Sequence, residues 1–101
     1  MSISIGKKIR AIRDSEMLTR EQFADLTGIP AGTQKYYETG RVDSIASDTL
    51  LKITSHPQFS KYTLWLMSDL TNEIAGQIAP ALSPDGLESI QNLLKVSNAG
   101  K

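Results

Sequence analysis

The chain of 101 residues contains no cysteine, and its 11 lysines and arginines are balanced by 11 aspartates and glutamates. The missing thiols exclude a disulfide framework and a thiolate zinc site. No apolar run approaches the length of about 18 residues that a membrane-spanning helix requires, so we expect no membrane partner. Residues 1–14 carry charge where a signal peptide has its apolar stretch, which predicts a cytoplasmic protein.

Catalytic and cofactor-binding patterns are also lacking. The sequence has no paired acid–histidine constellation and no glycine-rich phosphate loop. Its one histidine, His56, precedes a proline and has no second ligand at metal spacing. We therefore expect a protein that is not an enzyme and that holds neither a metal nor another cofactor.

The net charge of zero, taken alone, argues against a nucleic-acid partner, which usually meets a basic surface. The two parts of the chain differ, however. Residues 1–41 carry seven basic and five acidic side chains, whereas residues 42–101 carry four basic and six acidic ones. An anionic partner should therefore meet the N-terminal part.

Three short helices are predicted in the first 40 residues. Apolar residues at intervals of four and three mark one face of the first helix, which ends near residue 15: Ile5, Ile9 and Ile12. Thr19 and Gln22 form a capping-box pattern at the start of a second helix, near residues 20–27. Gly28 suits the left-handed end of that helix, and Pro30 can open a third helix near residues 31–39.

Helices are also predicted in the rest of the chain, near residues 47–55, 60–69 and 84–96. Ser47 or Asp48 can cap the first of these helices, and Ser60 can cap the second. Residues 71–82 are predicted to be a connector. The fold class that follows is all-α.

The second and third predicted helices, joined by a tight turn, form the pattern of a helix-turn-helix. In that unit the first helix braces the second, whose exposed face enters a major groove about 12 Å wide. Short helical hairpins also serve as plain packing units. Spacing alone therefore leaves DNA binding and structural packing both open.

Several motifs in this segment occur in the order and at the spacing of a known family. They are Leu18-Thr19, Phe23-Ala24, Gly28-Ile29, Tyr37-Glu38 and Gly40-Arg41. Residues 4–55 therefore resemble the lambda-repressor-like, Cro/cI-type (XRE) helix-turn-helix regulators, particularly phage and prophage members. The resemblance implies a compact five-helix bundle, here with an extra C-terminal helix.

The resemblance implies a repressor-like transcriptional regulator that binds double-stranded operator DNA as a homodimer, in the bacterial cytoplasm at the nucleoid. The predicted division is a DNA-binding domain over residues 1–70, and a connector with an oligomerisation helix over residues 71–101. Two alternatives remain open. One is an antitoxin whose tail masks a protein partner, and the other is a protein-interaction module that has lost DNA binding.

Family positions also predict the DNA contacts. Arg20 opens the bracing helix, where an arginine suits a phosphate oxygen. Lys35 can reach guanine or a phosphate, and Tyr36 can reach the DNA backbone or a thymine methyl. The predicted set is Arg20, Ala31, Gly32, Thr33, Lys35, Tyr36 and Arg41. The basic residues of the first helix are either a solvated face or further phosphate contacts: Lys7, Lys8, Arg10 and Arg13.

The recognition helix departs from the family pattern at its start. Ala31 and Gly32 replace polar residues that often contact bases, and Gln34 occupies a position that is normally aliphatic and buried. A buried amide without partners costs about 1–3 kcal/mol. We therefore expect few base contacts from side chains, and much of the specificity from DNA shape and backbone contacts.

A dimer interface is predicted in the second half of the chain. Apolar residues crowd one short helix there, more than its own bundle is expected to hide. A stripe on the last predicted helix can pair across a dimer, and a symmetric pair suits two half-sites about 34 Å apart. The predicted interface set is Tyr62, Trp65, Leu66, Leu87, Ile90 and Leu94.

Overall fold

The computed structural model describes residues 3–39, 42 and 44–81, and within these residues every regular element is helical. The helices are α1 (Ile5–Ser15), α2 (Arg20–Thr27), α3 (Ala31–Glu38), α4 (Ser47–Thr54) and α5 (Thr63–Ser68). A 3-10 turn, Ser60–Tyr62, leads directly into α5. The all-α prediction is confirmed. The predicted last helix, with Leu87, Ile90 and Leu94, lies outside the described residues.

Side chains cap the first two helices, and the cap of the second is the one that the sequence predicts. The Ser4 hydroxyl accepts a hydrogen bond from the Lys7 amide at 3.3 Å, which satisfies a free donor at the start of α1. At α2 the Thr19 amide donates to Gln22 Oε1 at 2.8 Å, and the Gln22 amide donates to Thr19 Oγ1 at 3.1 Å. The predicted capping box is therefore confirmed.

Apolar side chains from every helix except α3 meet in one core. Its centre contains Phe23 and Phe59, whose ring centroids lie 4.9 Å apart. The buried hydrophobic residues are Ile9, Ala11, Ile12, Phe23, Ile29, Leu50, Ile53, Phe59, Tyr62, Trp65 and Leu66. Helix α3 instead packs on α1 by close backbone approach, because a Cβ on Gly6 would collide with the Tyr37 carbonyl.

The predicted caps of α4 and α5 are wrong. Ala46 occupies the N-cap of α4 without a side-chain hydrogen bond, and Asp48 lies inside the first turn. Ser60 begins the 3-10 turn instead of capping α5. The Leu64 amide near the start of α5 donates to Gln77 Oε1 at 3.0 Å, so a residue distant in sequence supplies the acceptor.

Three residues of the predicted dimer interface belong to the core of the chain itself. Tyr62, Trp65 and Leu66 are 3%, 6% and 2% exposed. The expectation that their helix has more apolar surface than its bundle can hide is therefore wrong. The physical reason is that α1 packs across α5, where the buried Lys8 ammonium lies 5.2 Å from the centre of the Trp65 ring.

The segment that follows α5 returns to the bundle. Asn72 and Gln77 form an isolated antiparallel β-bridge around a turn. The Gln77 side-chain amide donates to the Ser60 carbonyl at 3.1 Å, and the Ile78 amide donates to the Lys61 carbonyl at 2.9 Å. The start of the predicted connector is thus attached to the 3-10 turn. No helix in the described part of the chain is long and apolar enough to cross a membrane.

Candidate nucleic-acid interface

The turn between α2 and α3 is fixed by its backbone conformation and by one hydroxyl. Gly28 has a φ of 81°, which glycine adopts without strain, and its amide donates to the Ala24 carbonyl at 2.7 Å. The Thr27 hydroxyl donates to the Phe23 carbonyl at 2.8 Å and accepts from the Ile29 amide at 3.2 Å. Ile29 is buried, so the turn directs the chain into α3 from an anchored position.

Gln34 connects α3 to the start of α2 and to the turn between the two helices. Its Nε2 donates to the Arg20 carbonyl at 2.9 Å and to the Ile29 carbonyl at 2.8 Å, while the side chain is buried. Its Oε1 has no hydrogen-bond partner among the described residues. The amide at this normally aliphatic position therefore acts as a donor clamp that holds α3 against α2.

The predicted contact residues of α3 lie along one short helix. Gly32, Lys35 and Tyr36 are exposed, and Ala31 and Thr33 are half-buried. Tyr36 is 58% exposed, in agreement with its predicted outward position, and Tyr37 is half-buried. The predicted contact Arg41 lies outside the described residues.

Arginines from α1 and α2 pair with Glu38 at the end of α3. Arg20 Nη2 donates to its Oε1 at 2.8 Å, and Arg20 Nε donates to its Oε2 at 3.4 Å. Arg13 Nη2 lies 3.3 Å from the same Oε1, and Arg10 Nε lies 4.0 Å from it. The Glu38 hydrogen bond and charge raise the pKa of Arg20 above its ordinary value. One buried carboxylate thus fixes the relative position of three helices.

Two basic residues of α1 are neither a solvated face nor phosphate contacts. Lys8 is buried, donates to the Trp65 carbonyl at 3.2 Å and forms an ion pair with Asp69. Arg13 is buried with Glu38 and donates to the Leu18 carbonyl at 3.1 Å. The physical reason is that both side chains lie on the packed side of α1, where they pair with carboxylates and donate hydrogen bonds to backbone carbonyls.

Ion pairing reduces the charge available to an anionic partner. Among the described residues of α1, α2 and α3, only Lys7 and Lys35 are basic residues without an ion pair. Lys35 therefore presents an uncompensated positive charge on the exposed face of α3. Among the described residues of these helices, the unpaired basic residues are therefore Lys7 on α1 and Lys35 on α3.

Sequence analysis did not identify the Glu38 cluster, although one signal was available. Arg13 follows Ile9 by four residues, which places it on the same face of α1 as the apolar stripe. A basic residue on a buried face requires an acidic partner. The nearest acid after the turn that could supply it from α3 is Glu38.

A comparison with known proteins finds a phage protein that is similar to this chain. The chain is 53% identical over 89 residues to a protein named Repressor protein C from Escherichia phage P2, and the match covers 85% of this chain and 86% of that protein. No protein-family model matches the chain. Because the match covers 85% of this chain, the similarity is not confined to the segment from α2 to α3.

Proposed function

The chain belongs to the phage repressor family of helix-turn-helix regulators, and we propose that it represses transcription by binding operator DNA as a homodimer through α3. The observation that carries the proposal is the exposed face of α3, where Gly32, Lys35 and Tyr36 lie on a helix braced by α2. A helix with its side chains is about 10–12 Å wide and fits a major groove about 12 Å wide. Bound there, the chain would exclude polymerase from the promoter.

The proposed contacts divide into base and phosphate contacts. Lys35, with its uncompensated charge, reaches guanine or a phosphate. Arg20 uses Nε and Nη2 to hold Glu38, which leaves Nη1 without a hydrogen bond in the described part of the chain and directed to a phosphate in the proposal. Arg41, beyond α3, is a second phosphate contact. Ala31 and Thr33 approach the DNA at the first turn of α3.

The ion pairs of the chain bear on how strongly it would bind DNA outside the operator. Each phosphate that a cation neutralises contributes about −0.9 to the slope of log affinity against log salt. Because Arg10 and Arg13 are paired with Glu38, and Arg20 has only Nη1 left for a phosphate, few basic groups remain for non-specific contacts. Binding outside the operator is therefore weak, and useful affinity comes from two subunits bound together.

We propose that the homodimer forms through exposed residues and not through the buried core residues Tyr62, Trp65 and Leu66. Met67, Leu70 and Ile74 are exposed apolar side chains at the end of α5 and in the turn that follows. We propose that they form one apolar patch, which would favour association. In this proposal the apolar stripe of the last predicted helix also belongs to the dimer interface: Leu87, Ile90 and Leu94. Residues 71–101 would then be the oligomerisation part, and residues 1–70 the DNA-binding part.

The proposed role requires no catalysis. The protein would act in the bacterial cytoplasm, where the nucleoid supplies its DNA. A duplex with two half-sites presents them one turn apart, about 34 Å, or at a multiple of that distance, and a two-fold dimer matches such a pair.

Selection of bound duplexes from a random pool tests the proposal directly. The full chain should enrich one sequence that contains two copies of a half-site at a spacing set by whole turns of the duplex. Sedimentation of the same sample should give the mass of two chains. Enrichment of no sequence would contradict DNA binding. A single half-site bound by a monomer would contradict only the dimer.

A further inference from the structure

The buried side chain of Lys8 connects α1 to the end of α5. Its ammonium donates to the Trp65 carbonyl at 3.2 Å and to the Leu66 carbonyl at 3.4 Å, and it forms an ion pair with Asp69. The last carbonyls of a helix are short of partners within that helix, and a cation is favourable beside them. Lys8 therefore fixes the position of the end of α5 against α1.

Another side of α1 holds α3. Gly6 and Lys8 are two residues apart on α1, and side chains at that separation do not lie on the same face of a helix. A Cβ on Gly6 would collide with the Tyr37 carbonyl, so α3 approaches α1 at this point by direct backbone contact. Arg13 and Glu38 add a buried ion pair between the same two helices. Helix α1 thus contacts both α3 and the end of α5.

The end of α5 carries exposed apolar side chains that belong to the proposed dimer interface, Met67 and Leu70. Met67 lies between the two residues Leu66 and Asp69, both of which bind the Lys8 ammonium, and Leu70 directly follows Asp69. The contacts of Lys8 therefore attach to α1 the segment through which two chains are proposed to associate.

We propose that Lys8 is a positioning residue that sets the spacing of the operator half-sites. The inference rests on the proposed function, in which two chains associate through the end of α5 and each places its α3 in a major groove. The separation of the two α3 helices then depends on how the end of α5 is held relative to α3, and α1 makes that connection. Each added base pair moves one half-site by about 3.4 Å and turns it by about a tenth of a turn. A dimer with a fixed separation accepts one spacing.

Lys8→Met separates this role from a structural one. Methionine keeps an unbranched apolar chain beside the Trp65 ring and removes the charge and its donors. Asp69 stays hydrated in the variant, because its side chain is 50% exposed. If Lys8 only stabilised the fold, the change would lower the urea midpoint and weaken binding to every duplex alike. If Lys8 positions α5, the change alters the dependence of affinity on half-site spacing.

Titration of the full chain with duplexes of different spacing measures this dependence. The duplexes are the selected one and versions with one or two base pairs inserted or removed between the half-sites. One added base pair should weaken wild-type binding about tenfold and Lys8→Met binding less than about threefold. A duplex with a single half-site should bind both chains equally. A folded Lys8→Met dimer with the wild-type dependence would overturn the inference, as would a wild-type dimer that binds all spacings equally.

Two further variants complete the test. Lys52→Met, at an exposed lysine of α4, controls for the change of residue type and should keep the wild-type dependence on spacing. Asp69→Asn removes the ion pair and leaves Lys8 its two carbonyls, and asparagine tolerates the left-handed backbone there, where φ is 59°. Its dependence should lie between those of wild type and Lys8→Met. If Lys8→Met does not fold, Asp69→Asn decides, and the wild-type dependence in it would overturn the inference.

Sedimentation of the same samples distinguishes spacing from association. Every variant should have the mass of two chains, and a monomeric Lys8→Met that is folded would overturn the inference by assigning Lys8 to association instead. A wild-type chain that binds no duplex, or that binds a single half-site as a monomer, would contradict the proposed function and the inference with it. Loss of the spacing dependence in wild type alone would leave DNA binding intact.

Discussion

Arg20 and Glu38 are joined by two parallel hydrogen bonds, from Nη2 to Oε1 at 2.8 Å and from Nε to Oε2 at 3.4 Å. The pair connects the first residue of α2 with the last residue of α3. Arg13 from α1 contacts the same carboxylate at 3.3 Å. The angle between the two helices of the helix-turn-helix is therefore held by one carboxylate and the guanidinium groups around it.

Glu38→Gln should reduce the free energy of unfolding by about 3 kcal/mol, because it removes the carboxylate that pairs with the half-buried Arg20 and the buried one of the two carboxylates that pair with the buried Arg13. Urea unfolding of the full chain measures the change. Asp14→Asn is the matched control, since Asp14 pairs with Arg10 and Arg13 but is partly exposed, and should cost less than about 1 kcal/mol. Equal losses of unfolding free energy in the two variants would contradict the conclusion that Glu38 holds the three helices together.

Lys35→Ala should weaken operator binding without changing the unfolding midpoint, since Lys35 is exposed and has no ion pair among the described residues. The slope of log affinity against log salt should fall by about 0.9 if the lysine neutralises a phosphate. A changed base preference in a second selection would instead assign it to guanine. Lys52→Ala, at an exposed lysine of α4, is the control and should bind as wild type.

Arg20→Ala should lower both operator affinity and folding stability, because the same guanidinium holds Glu38. Its base preference should remain that of wild type, since a phosphate contact carries no sequence information. Affinity, base preference and urea midpoint are measured on one preparation. An Arg20→Ala variant with normal stability would contradict the ion pair that the structure describes.

Local chemistry explains how much of the fold could be predicted from the sequence. The capping box of Thr19 and Gln22 and the left-handed Gly28 involve residues a few positions apart, so the sequence alone located α2 and its end. The acceptor that Gln77 supplies to Leu64 lies 13 residues away, and no local pattern contains it. The same limit applies to Trp65, whose burial depends on α1 packing across its helix.

The candidate site, like the fold, could be predicted from the sequence only in part. The exposed positions of α3 followed from the resemblance, which aligns Lys35 and Tyr36 with the recognition helix. The partners of Glu38 did not follow, because an ion pair between helices depends on their crossing as well as on their faces. The net charge of zero did not predict the site either. Ion pairs within the chain decide which basic residues remain available to an anionic partner.

Leu70→Lys should dissociate the proposed dimer without unfolding the chain. Leu70 is 59% exposed beyond α5, and a lysine there would place a charge in an apolar contact between subunits. Leu51→Lys is the matched control, because Leu51 is 58% exposed on α4. Sedimentation should give one chain for the first variant and two for the second. A dimer in both variants would exclude the surface around Leu70.

Stability should depend on pH through the hydrogen bond from the Tyr62 hydroxyl to Glu16 Oε2, which is 2.6 Å long. Burial raises the pKa of Glu16, but hydrogen bonds from Tyr62, Gln58 and Lys61 outweigh it and lower the pKa below its ordinary value. Burial, followed by the hydrogen bond to Glu16, raises the pKa of Tyr62. The two shifts act at opposite ends of the pH range.

The lowered pKa of Glu16 adds stability above its unfolded-state value of about 4.3, and this contribution is lost as the pH falls through the folded-state pKa. The raised pKa of Tyr62 adds stability below about pH 10, and this contribution is lost as the pH rises further. Urea midpoints across this range should therefore fall at both ends. Tyr62→Phe should flatten both limbs, and an unchanged profile would contradict the assignment.

The most direct test of operator binding by α3 is a mobility shift of the full chain, at low salt, with DNA from upstream of its own gene. The account predicts a discrete shifted band that unlabelled specific duplex removes and scrambled duplex does not, and that weakens with Lys35→Ala but not with Lys52→Ala. A folded chain that shifts no duplex at low salt, or that shifts specific and scrambled duplexes equally, would contradict it.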